Sequence, residues 1–162
     1  MIKGLHHNAY RCRDSEETRK FYEDFLGLPL AHSLKIGETK TGRQAHVLHT
    51  FFRMDDGSFL AFFEAPGEPF EFKQQRDFDL HIALEVTQDD LKRMFEKGKK
   101  AGVEVRGISD HHFVDSIYFR DPNGYVIELT AKRPDHDKIV NGAKGEARTA
   151  LDEWQKEKRV HA

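Results

Sequence analysis

Histidine is abundant in this chain, and two histidines recur at equivalent places in its sequence. The 162 residues include ten histidines and a single cysteine, Cys12. His7 begins the stretch His-Asn-Ala-Tyr, and His81 begins the stretch His-Ile-Ala-Leu. Neutral imidazole is a common metal ligand. Because there is one thiol, an intramolecular disulfide and a thiolate cluster are excluded, and nitrogen and oxygen atoms must hold any metal.

At the position four residues after the turn glycine, only the second half of the chain has a carboxylate. Glu128 follows a turn glycine by four residues, whereas the residue four after Gly57 is Ala61. Two histidines and one carboxylate form the facial triad suited to non-haem Fe(II), and Mn, Co, Ni or Zn also accept these donors. We therefore predict that His7, His81 and Glu128 hold a divalent metal, with Fe(II) as the leading choice and open positions for a substrate.

Strand alternation predicts which way these side chains point. In the stretch 80–86 the even-numbered residues are all apolar, so His81 is expected on the opposite face from the core. Glu128 alternates with apolar neighbours in the same way. Glu64 lies three residues beyond Ala61 and so faces the other way, and we do not expect it to be a ligand.

The elements that position these residues occur in the same order in both halves. Capping-box spacings at Asp14 and at Thr87 predict the start of one helix in each half. Each half then closes on a turn and a strand, over 55–64 and 121–131. The repeated order is a strand, a helix and three strands.

This order predicts an α+β fold of two βαβββ modules, about residues 4–66 and 78–131. Each module alone leaves one sheet face bare, so we expect the two to form a curled, mixed-sheet, barrel-like cup within one domain, residues 1–131. The segment 70–79 carries few structural signals and is predicted to link the modules. A helical extension is expected over residues 132–162.

The extension carries an amphipathic pattern. Apolar residues recur at helical spacing between Ala143 and Lys158, and both signs of charge occupy the polar side. This pattern predicts a helix that covers the domain or a partner subunit, with the following apolar residues: Ala147, Ala150, Leu151 and Trp154.

Composition excludes several classes of function. Charged residues are 33% of the chain, hydrophobic residues are 38%, and the net charge is −2, so nothing attracts nucleic-acid phosphate in general. The longest apolar runs have the length of strands and are far short of a membrane span. No secretory signal pattern opens the sequence, and we expect a cytoplasmic protein with no nucleic-acid or membrane partner.

Three stretches of the chain, LHHNAYRCRDSEETRKFYEDFLGLPL, DLHIALEV and IYFRDPNGYVIELT, resemble the vicinal oxygen chelate superfamily. Its members include glyoxalase I, extradiol ring-cleavage dioxygenases, fosfomycin-resistance enzymes and bleomycin-binding proteins. With the internal repeat, the resemblance covers about residues 4–131. It implies paired βαβββ modules around a metal-centred cup, ligands at His7, His81 and Glu128, and a homodimer.

Further site residues are expected near the last strand. The stretch from His111 to Glu128 resembles the extradiol dioxygenase signature, and Tyr118 lies ten residues before Glu128, as in those dioxygenases. The resemblance implies that Tyr118 hydrogen-bonds a bound catecholate. A histidine is needed to move protons. His111 is one candidate, and its neighbour His112 is another. His46 and His49 lie three residues apart in the strand predicted at 43–54, so they face opposite sides and only one of them can face the cup. Of these two, His49 is favoured.

These residues leave three functions open. The first is an Fe(II)-dependent, dioxygenase-like enzyme for a small aromatic or vicinal-oxygen substrate. The second is a glyoxalase-like lyase or isomerase that uses Zn, Ni or Mn, although Ala61 occupies the place of the second carboxylate of glyoxalase I-like members. The third is a protein that binds a small ligand without chemistry. Phe59 and Phe63 share the face of Ala61, which suits an apolar or aromatic ligand.

Overall fold

In the computed structural model of the chain, residues 1–142 and 145–158 are described. The first module contains a π-helical turn, Lys20–Phe25, that continues its helix. Its other elements, in chain order, are β1 (His7–Arg11), α1 (Ser15–Arg19), β2 (Leu30–Glu38), β3 (Gln44–Arg53) and β4 (Phe59–Glu64).

The second module repeats the order of the first. Its elements are β5 (His81–Val86), α2 (Gln88–Ala101), β6 (Val105–Asp110), β7 (Val114–Arg120) and β8 (Val126–Lys132). The predicted strand at 43–54 corresponds to β3, and the predicted linker at 70–79 contains no helix or strand.

Each module folds its strands into one mixed, four-stranded sheet. Sheet 1 has the order β1-β4-β3-β2, and sheet 2 has the order β5-β8-β7-β6. The first and last strands of each module pair in parallel, and the other neighbours are antiparallel. The sheets do not close into a barrel. The predicted α+β fold of two βαβββ modules with curled mixed sheets is therefore confirmed.

The pairing of the first and last strands is equivalent in the two modules, as the internal repeat predicts. In sheet 1, Ala61 of β4 lies opposite Ala9, two residues after His7. In sheet 2, Glu128 of β8 lies opposite the residue two after His81. The two halves thus place His7 and His81 at equivalent positions, and the carboxylate position of the second half is an alanine in the first.

Both predicted helix starts are formed as the capping residues require. The Asp14 side chain accepts a hydrogen bond from the backbone N–H of Glu17, and the Thr87 hydroxyl accepts one from Asp90. These bonds satisfy backbone donors that the first helical turn leaves free. The second helix ends at Gly102, whose φ of 68° is the left-handed conformation that glycine adopts without strain.

The two modules share one core between their helix-bearing sides. Tyr22 is fully buried, and its hydroxyl donates to a carboxylate oxygen of Asp121 at 2.9 Å, which joins the first helix to the β7–β8 turn. Phe25 packs edge-on against Phe119, with ring centroids 5.3 Å apart. Packing on this side leaves the opposite face of each sheet open.

The described part of the C-terminal extension contains two helices, α3 (His136–Val140) and α4 (Glu146–Glu157). The first was not predicted. The second corresponds to the predicted amphipathic helix, although its expected first residue, Ala143, lies outside the described residues. Leu151 and Trp154 of α4 are 49% and 59% exposed, so the described chain does not cover its apolar side. Among the described residues, no helix is both long enough and apolar enough to cross a membrane.

Candidate metal-binding site

Two of the predicted ligands lie side by side on the open face of sheet 2. His81 begins β5, Glu128 lies on the neighbouring strand β8, and alternation directs both side chains away from the apolar core. The His81 Nε2 atom is 3.1 Å from Oε2 of Glu128. Glu128 is only 7% exposed, although it is a carboxylate. A carboxylate is rarely this buried unless it has a partner, which a protonated imidazole or a cation would supply.

A backbone carbonyl determines how the His81 ring is turned. Its Nδ1 atom lies 2.5 Å from the carbonyl oxygen of Asp77 in the linker. A carbonyl only accepts, so Nδ1 donates to it, and Nε2 faces Glu128, where it can donate to the carboxylate when protonated or bind a cation through its lone pair. An imidazole that donates its second nitrogen to a carbonyl in this way has the arrangement usual for histidine ligands of metals.

Tyr118 and His111 extend this pair into a hydrogen-bonded chain. The Tyr118 hydroxyl donates to Oε1 of Glu128 at 3.3 Å and lies 2.8 Å from Nε2 of His111. Because the hydroxyl has one proton, its oxygen accepts from His111. Burial, followed by the charge of Glu128, raises the pKa of Tyr118 above its ordinary value, which keeps the hydroxyl protonated at neutral pH.

The β6–β7 turn presents His111 to this chain. His112 has a φ of +70°, a left-handed conformation that is uncommon for residues other than glycine, and its backbone N–H donates to Oδ1 of Asp110. The turn and the open face of sheet 2 enclose a pocket of about 430 Å³. Its lining includes His81, Glu128, Tyr118 and the turn residues Asp110, His111, His112 and Phe113.

His7 lies on the other sheet. It is exposed on β1, where Nδ1 is 2.8 Å from Nδ1 of His6 and the ring packs edge-on against Phe51. The described residues contain no group of three or more histidines, cysteines or carboxylates that could hold a metal ion. The convergence of His7 on His81 and Glu128 that the repeat predicted is therefore not found within one chain, because the modules pack through their helix-bearing sides.

His49 also belongs to the first module. Its ring stacks on Phe63 at 3.7 Å between centroids, and its Nδ1 atom lies 3.0 Å from the carbonyl oxygen of Phe62. Burial lowers the pKa of His49 below its ordinary value. The structure brings it together with the face of His7, not with Tyr118 and His111. Glu64 faces the helix, as expected, where it accepts from the backbone N–H of Ser15.

Two neighbours of the site were missed by the sequence patterns. Arg106 on β6 lies over the Tyr118 ring, with its guanidinium carbon 5.3 Å from the ring centroid, and its Nη2 atom donates to the carboxylate of Asp77. This bond raises the pKa of Arg106. Asp77 lies in a linker without periodicity. The register that places Arg106 opposite Tyr118 depends on an irregularity between Gly107 and Ser109, which no alternation reveals.

Paired βαβββ modules, each with a curled, mixed, four-stranded sheet, define the class of fold to which this chain belongs. The model of the glyoxalase/bleomycin resistance protein/dioxygenase superfamily matches residues 4–129 of this chain. The chain belongs to that superfamily.

Curated relatives within the superfamily are metallothiol transferases. The chain is 31% identical over 132 residues to the metallothiol transferase FosB of Bacillus licheniformis, a match that covers 79% of this chain and 75% of that protein. It is 25% identical over 140 residues to FosB of Shouchella clausii, covering 80% of each.

Solved structures share the fold. The fosfomycin-resistance protein FosX of Listeria monocytogenes, in complex with Mn(II) and sulfate, matches with a TM-score of 0.61 and 24% identity, over 84% of this chain and 98% of that one. A glyoxylase/bleomycin resistance protein/dioxygenase domain from a Frankia species matches with a TM-score of 0.66 and 20% identity, over 82% of this chain and 100% of that one.

Proposed function

We propose that this chain is a divalent-metal enzyme that acts on a small molecule with neighbouring oxygen atoms. The observation that carries the proposal is the pair formed by His81 Nε2 and Glu128 Oε2, 3.1 Å apart, with the imidazole oriented by the Asp77 carbonyl. A nitrogen lone pair and a nearly buried carboxylate fit a divalent cation, and they are placed at the edge of a pocket.

We propose further that a second copy of the chain supplies His7. Its position in β1 is equivalent to that of His81 in β5, and it is exposed on the open face of sheet 1. That face also carries aromatic side chains, Phe51, Phe59 and Phe63, which burial against another sheet would stabilise. A homodimer that pairs sheet 1 of one copy with sheet 2 of the other would complete two sites.

Within such a site, the contacts of Tyr118 and of His111 support a role for each. When bound, a divalent metal supplies Lewis-acid polarisation of the substrate oxygens. Tyr118 orients the substrate by hydrogen bonding, and His111 returns a proton to an oxygen through the Tyr118 hydroxyl, which lies 2.8 Å away. The metallothiol transferase relatives favour nucleophilic addition, in which a thiol forms an S–C bond, a C–O bond breaks, and the thiol proton ends on the oxygen.

Metal content tests the ligand assignment. Elemental analysis of anaerobically purified protein is expected to give one divalent ion per chain, and Glu128→Ala or His81→Ala should lose it. His46→Ala is the matched control, because His46 is an exposed histidine of β3 outside the proposed set. Full metal retention in Glu128→Ala would reject the assignment.

Mixing two inactive variants tests whether the site is shared between copies. If it is shared, each mixed dimer of His7→Ala with Glu128→Ala chains keeps one intact site of its two. Random mixing in equal amounts should then restore about a quarter of wild-type activity, since half of the dimers are mixed. A site built within one chain would give no recovery, and that result would exclude the shared arrangement.

A second candidate is the Fe(II)-dependent dioxygenase expected from the sequence. The contact between Tyr118 and Glu128, at 3.3 Å, favours it, because a hydroxyl placed there can hydrogen-bond a catecholate. Oxygen uptake by the Fe(II)-loaded protein with a catechol panel would support this reaction. Thiol consumption by the Mn(II)-loaded protein with fosfomycin, without oxygen uptake, would support addition.

A further inference from the structure

Across sheet 2, a single residue on the intervening strand separates Arg106 from the proposed ligand Glu128. Tyr118 is opposite Arg106 on one side and opposite Glu128 on the other. The guanidinium carbon is 5.3 Å from the centroid of the Tyr118 ring. Guanidinium groups pack favourably on aromatic faces, so the tyrosine that contacts Glu128 also holds Arg106 in place.

Most of the hydrogen-bonding capacity of Arg106 is unused. Its Nη2 atom donates to Oδ1 and Oδ2 of Asp77 at 2.7 and 2.6 Å. Its Nε and Nη1 atoms make no hydrogen bond to any residue that the structure describes. A guanidinium has five N–H donors, so those at Nε and Nη1 remain available to an acceptor.

Asp77 connects Arg106 to the metal ligands. Its backbone carbonyl accepts from Nδ1 of His81, while its carboxylate holds the guanidinium. One linker residue thus determines the placement of both groups. Across the sheet only Tyr118 separates Arg106 from Glu128, so a molecule coordinated beside Glu128 that extends over Tyr118 approaches the guanidinium.

Charged side chains surround Arg106. A pocket of about 740 Å³ beside it is lined by three arginines, Arg76, Arg106 and Arg120, and by two carboxylates, Asp77 and Glu104. Each of these arginines has a carboxylate partner, Asp79 for Arg76, Asp77 for Arg106 and Glu104 for Arg120, so what the pocket offers an incoming oxyanion is the unused N–H donors of Arg106.

The other residues of this pocket suit a ligand that has an apolar part and a hydrogen-bond donor. Phe72 and Phe78 of the linker line it and are 47% and 79% exposed. The Oε1 atom of Gln75, another lining residue, is buried and has no hydrogen-bond partner among the described residues. A buried acceptor without a partner is costly, and a hydroxyl or amine of a ligand would satisfy it.

We propose that Arg106 determines specificity by binding an oxyanion group of the substrate, with Asp77 as its positioning residue. This inference rests on the proposed function. It names the substrate class as a small molecule with an aromatic or apolar body, neighbouring oxygens at one end and a carboxylate or phosphonate at the other.

Three probes with one chelating group test the proposal. Catechol, 3,4-dihydroxybenzoate and 3,4-dihydroxyphenylphosphonate present the same vicinal oxygens, and only the last two carry an oxyanion. Calorimetric titration of the Mn(II)-loaded wild-type protein is expected to give at least about tenfold tighter binding of one of the two anionic probes than of catechol, as charge-assisted hydrogen bonds allow. The anionic probe with the higher affinity shows whether the site binds a carboxylate or a phosphonate.

Substitution of Arg106 should remove this preference alone. Arg106→Gln is expected to bind all three probes with the affinity of catechol while it keeps its metal, and Arg106→Lys should keep part of the preference. Asp77→Asn should weaken the preference, and Asp77→Glu should restore part of it. Arg93→Gln removes the same charge from α2, where the side chain is 71% exposed and pairs with Asp90, and should change nothing.

Titrations with and without metal separate this inference from the proposed function. If the wild-type protein binds no metal, the proposed function fails, but Arg106-dependent binding of an anionic probe to the metal-free protein would still support the oxyanion site. Equal affinity for all three probes in the wild-type protein, or an undiminished preference in Arg106→Gln, would overturn the assignment of Arg106 whatever the metal content.

Discussion

The hydroxyl of Tyr118 lies between a histidine and a carboxylate, and its two contacts have different consequences. Towards Glu128 it donates, which orients the carboxylate, and towards His111 it accepts, which makes it a path for a proton. A raised pKa keeps this hydroxyl protonated through the neutral range. Its removal should therefore affect turnover more than metal binding.

We expect Tyr118→Phe to lower kcat by about 10²-fold or more, the usual contribution of a positioned acid or base, with metal content unchanged. Steady-state kinetics together with elemental analysis provides the measurement. Tyr10→Phe is the control, because the Tyr10 hydroxyl makes no hydrogen bond to any described residue. Equal losses in both variants would argue against a role for Tyr118 in proton transfer.

His49 should make the stability of the metal-free protein depend on pH. Burial lowers its pKa in the folded state, so the unfolded chain binds the proton more readily. The free energy of unfolding should therefore fall as the pH drops through the ordinary histidine pKa of about 6.5, with a slope of at most about 1.4 kcal/mol per pH unit from this group.

Denaturant unfolding between pH 5 and 8, in the presence of a chelator, measures that slope. His49→Asn is expected to have a shallower slope than the wild-type protein, whatever its absolute stability, while His46→Asn should keep the full slope. An unchanged slope in His49→Asn would show that other groups cause the dependence.

At the scale of elements, the linker is held against the β7–β8 turn through backbone atoms. The N–H of Lys73 donates to the carbonyl of Asn123 at 2.8 Å, and Nη1 of Arg120 donates to the backbone carbonyl of Gln75 at 3.4 Å. A Cβ atom on Gly124 would lie 2.3 Å from the backbone oxygen of Lys73, so only glycine allows the linker to approach this closely. The linker also contains Asp77, so its placement affects the site.

We expect Gly124→Ala to displace the linker and to weaken metal binding as well as stability. Gly57→Ala is the matched control: Gly57 occupies the equivalent turn, has a similar positive φ of 84°, and has nothing within 4 Å of an added Cβ. Both variants bear the backbone strain, about 1 kcal/mol, and the difference between them measures the clash. Equal thermal stability and equal metal affinity would contradict the role of the linker.

Local sequence signals were sufficient to predict the starts of the two helices and the alternation of β5. The caps at Asp14 and Thr87 depend on side chains three residues from their partners, and the alternation of His81 with its neighbours depends on the strand itself. The helix that starts at Asp14 was predicted, but the π-helical geometry of its turn at Lys20–Phe25 was not. The short helix α3 escaped prediction because its five residues are too few to show the 3.6-residue periodicity.

At the scale of the whole molecule, a buried polar network joins the modules. Asp121 is 2% exposed and accepts from the Tyr22 hydroxyl and from the backbone N–H of Asn123 and of Tyr125. Desolvation by burial raises the pKa of Asp121, and these donors partly offset that cost. The network thus links the helix of the first module to the β7–β8 turn of the second.

We expect Tyr22→Phe to lower the free energy of unfolding by about 1.5–3 kcal/mol, since it leaves a buried carboxylate with one donor fewer. Tyr125→Phe removes a bond of 3.0 Å to the uncharged carbonyl of Arg11 and should cost about 0.5–1.5 kcal/mol. Chemical denaturation compares the two variants, and a larger loss in Tyr125→Phe would refute this ranking.

The sequence by itself determined the order of elements, the open-face orientation of His81 and Glu128, and the equivalence of His7 with His81, because helix caps and strand alternation are local properties. Only the tertiary structure decided that His7 lies apart from its expected partners, that His111 reaches Tyr118, and that Asp77 joins Arg106 to His81. Those placements depend on how modules pack and how strands register across an irregularity, and both result from contacts between residues far apart in the chain.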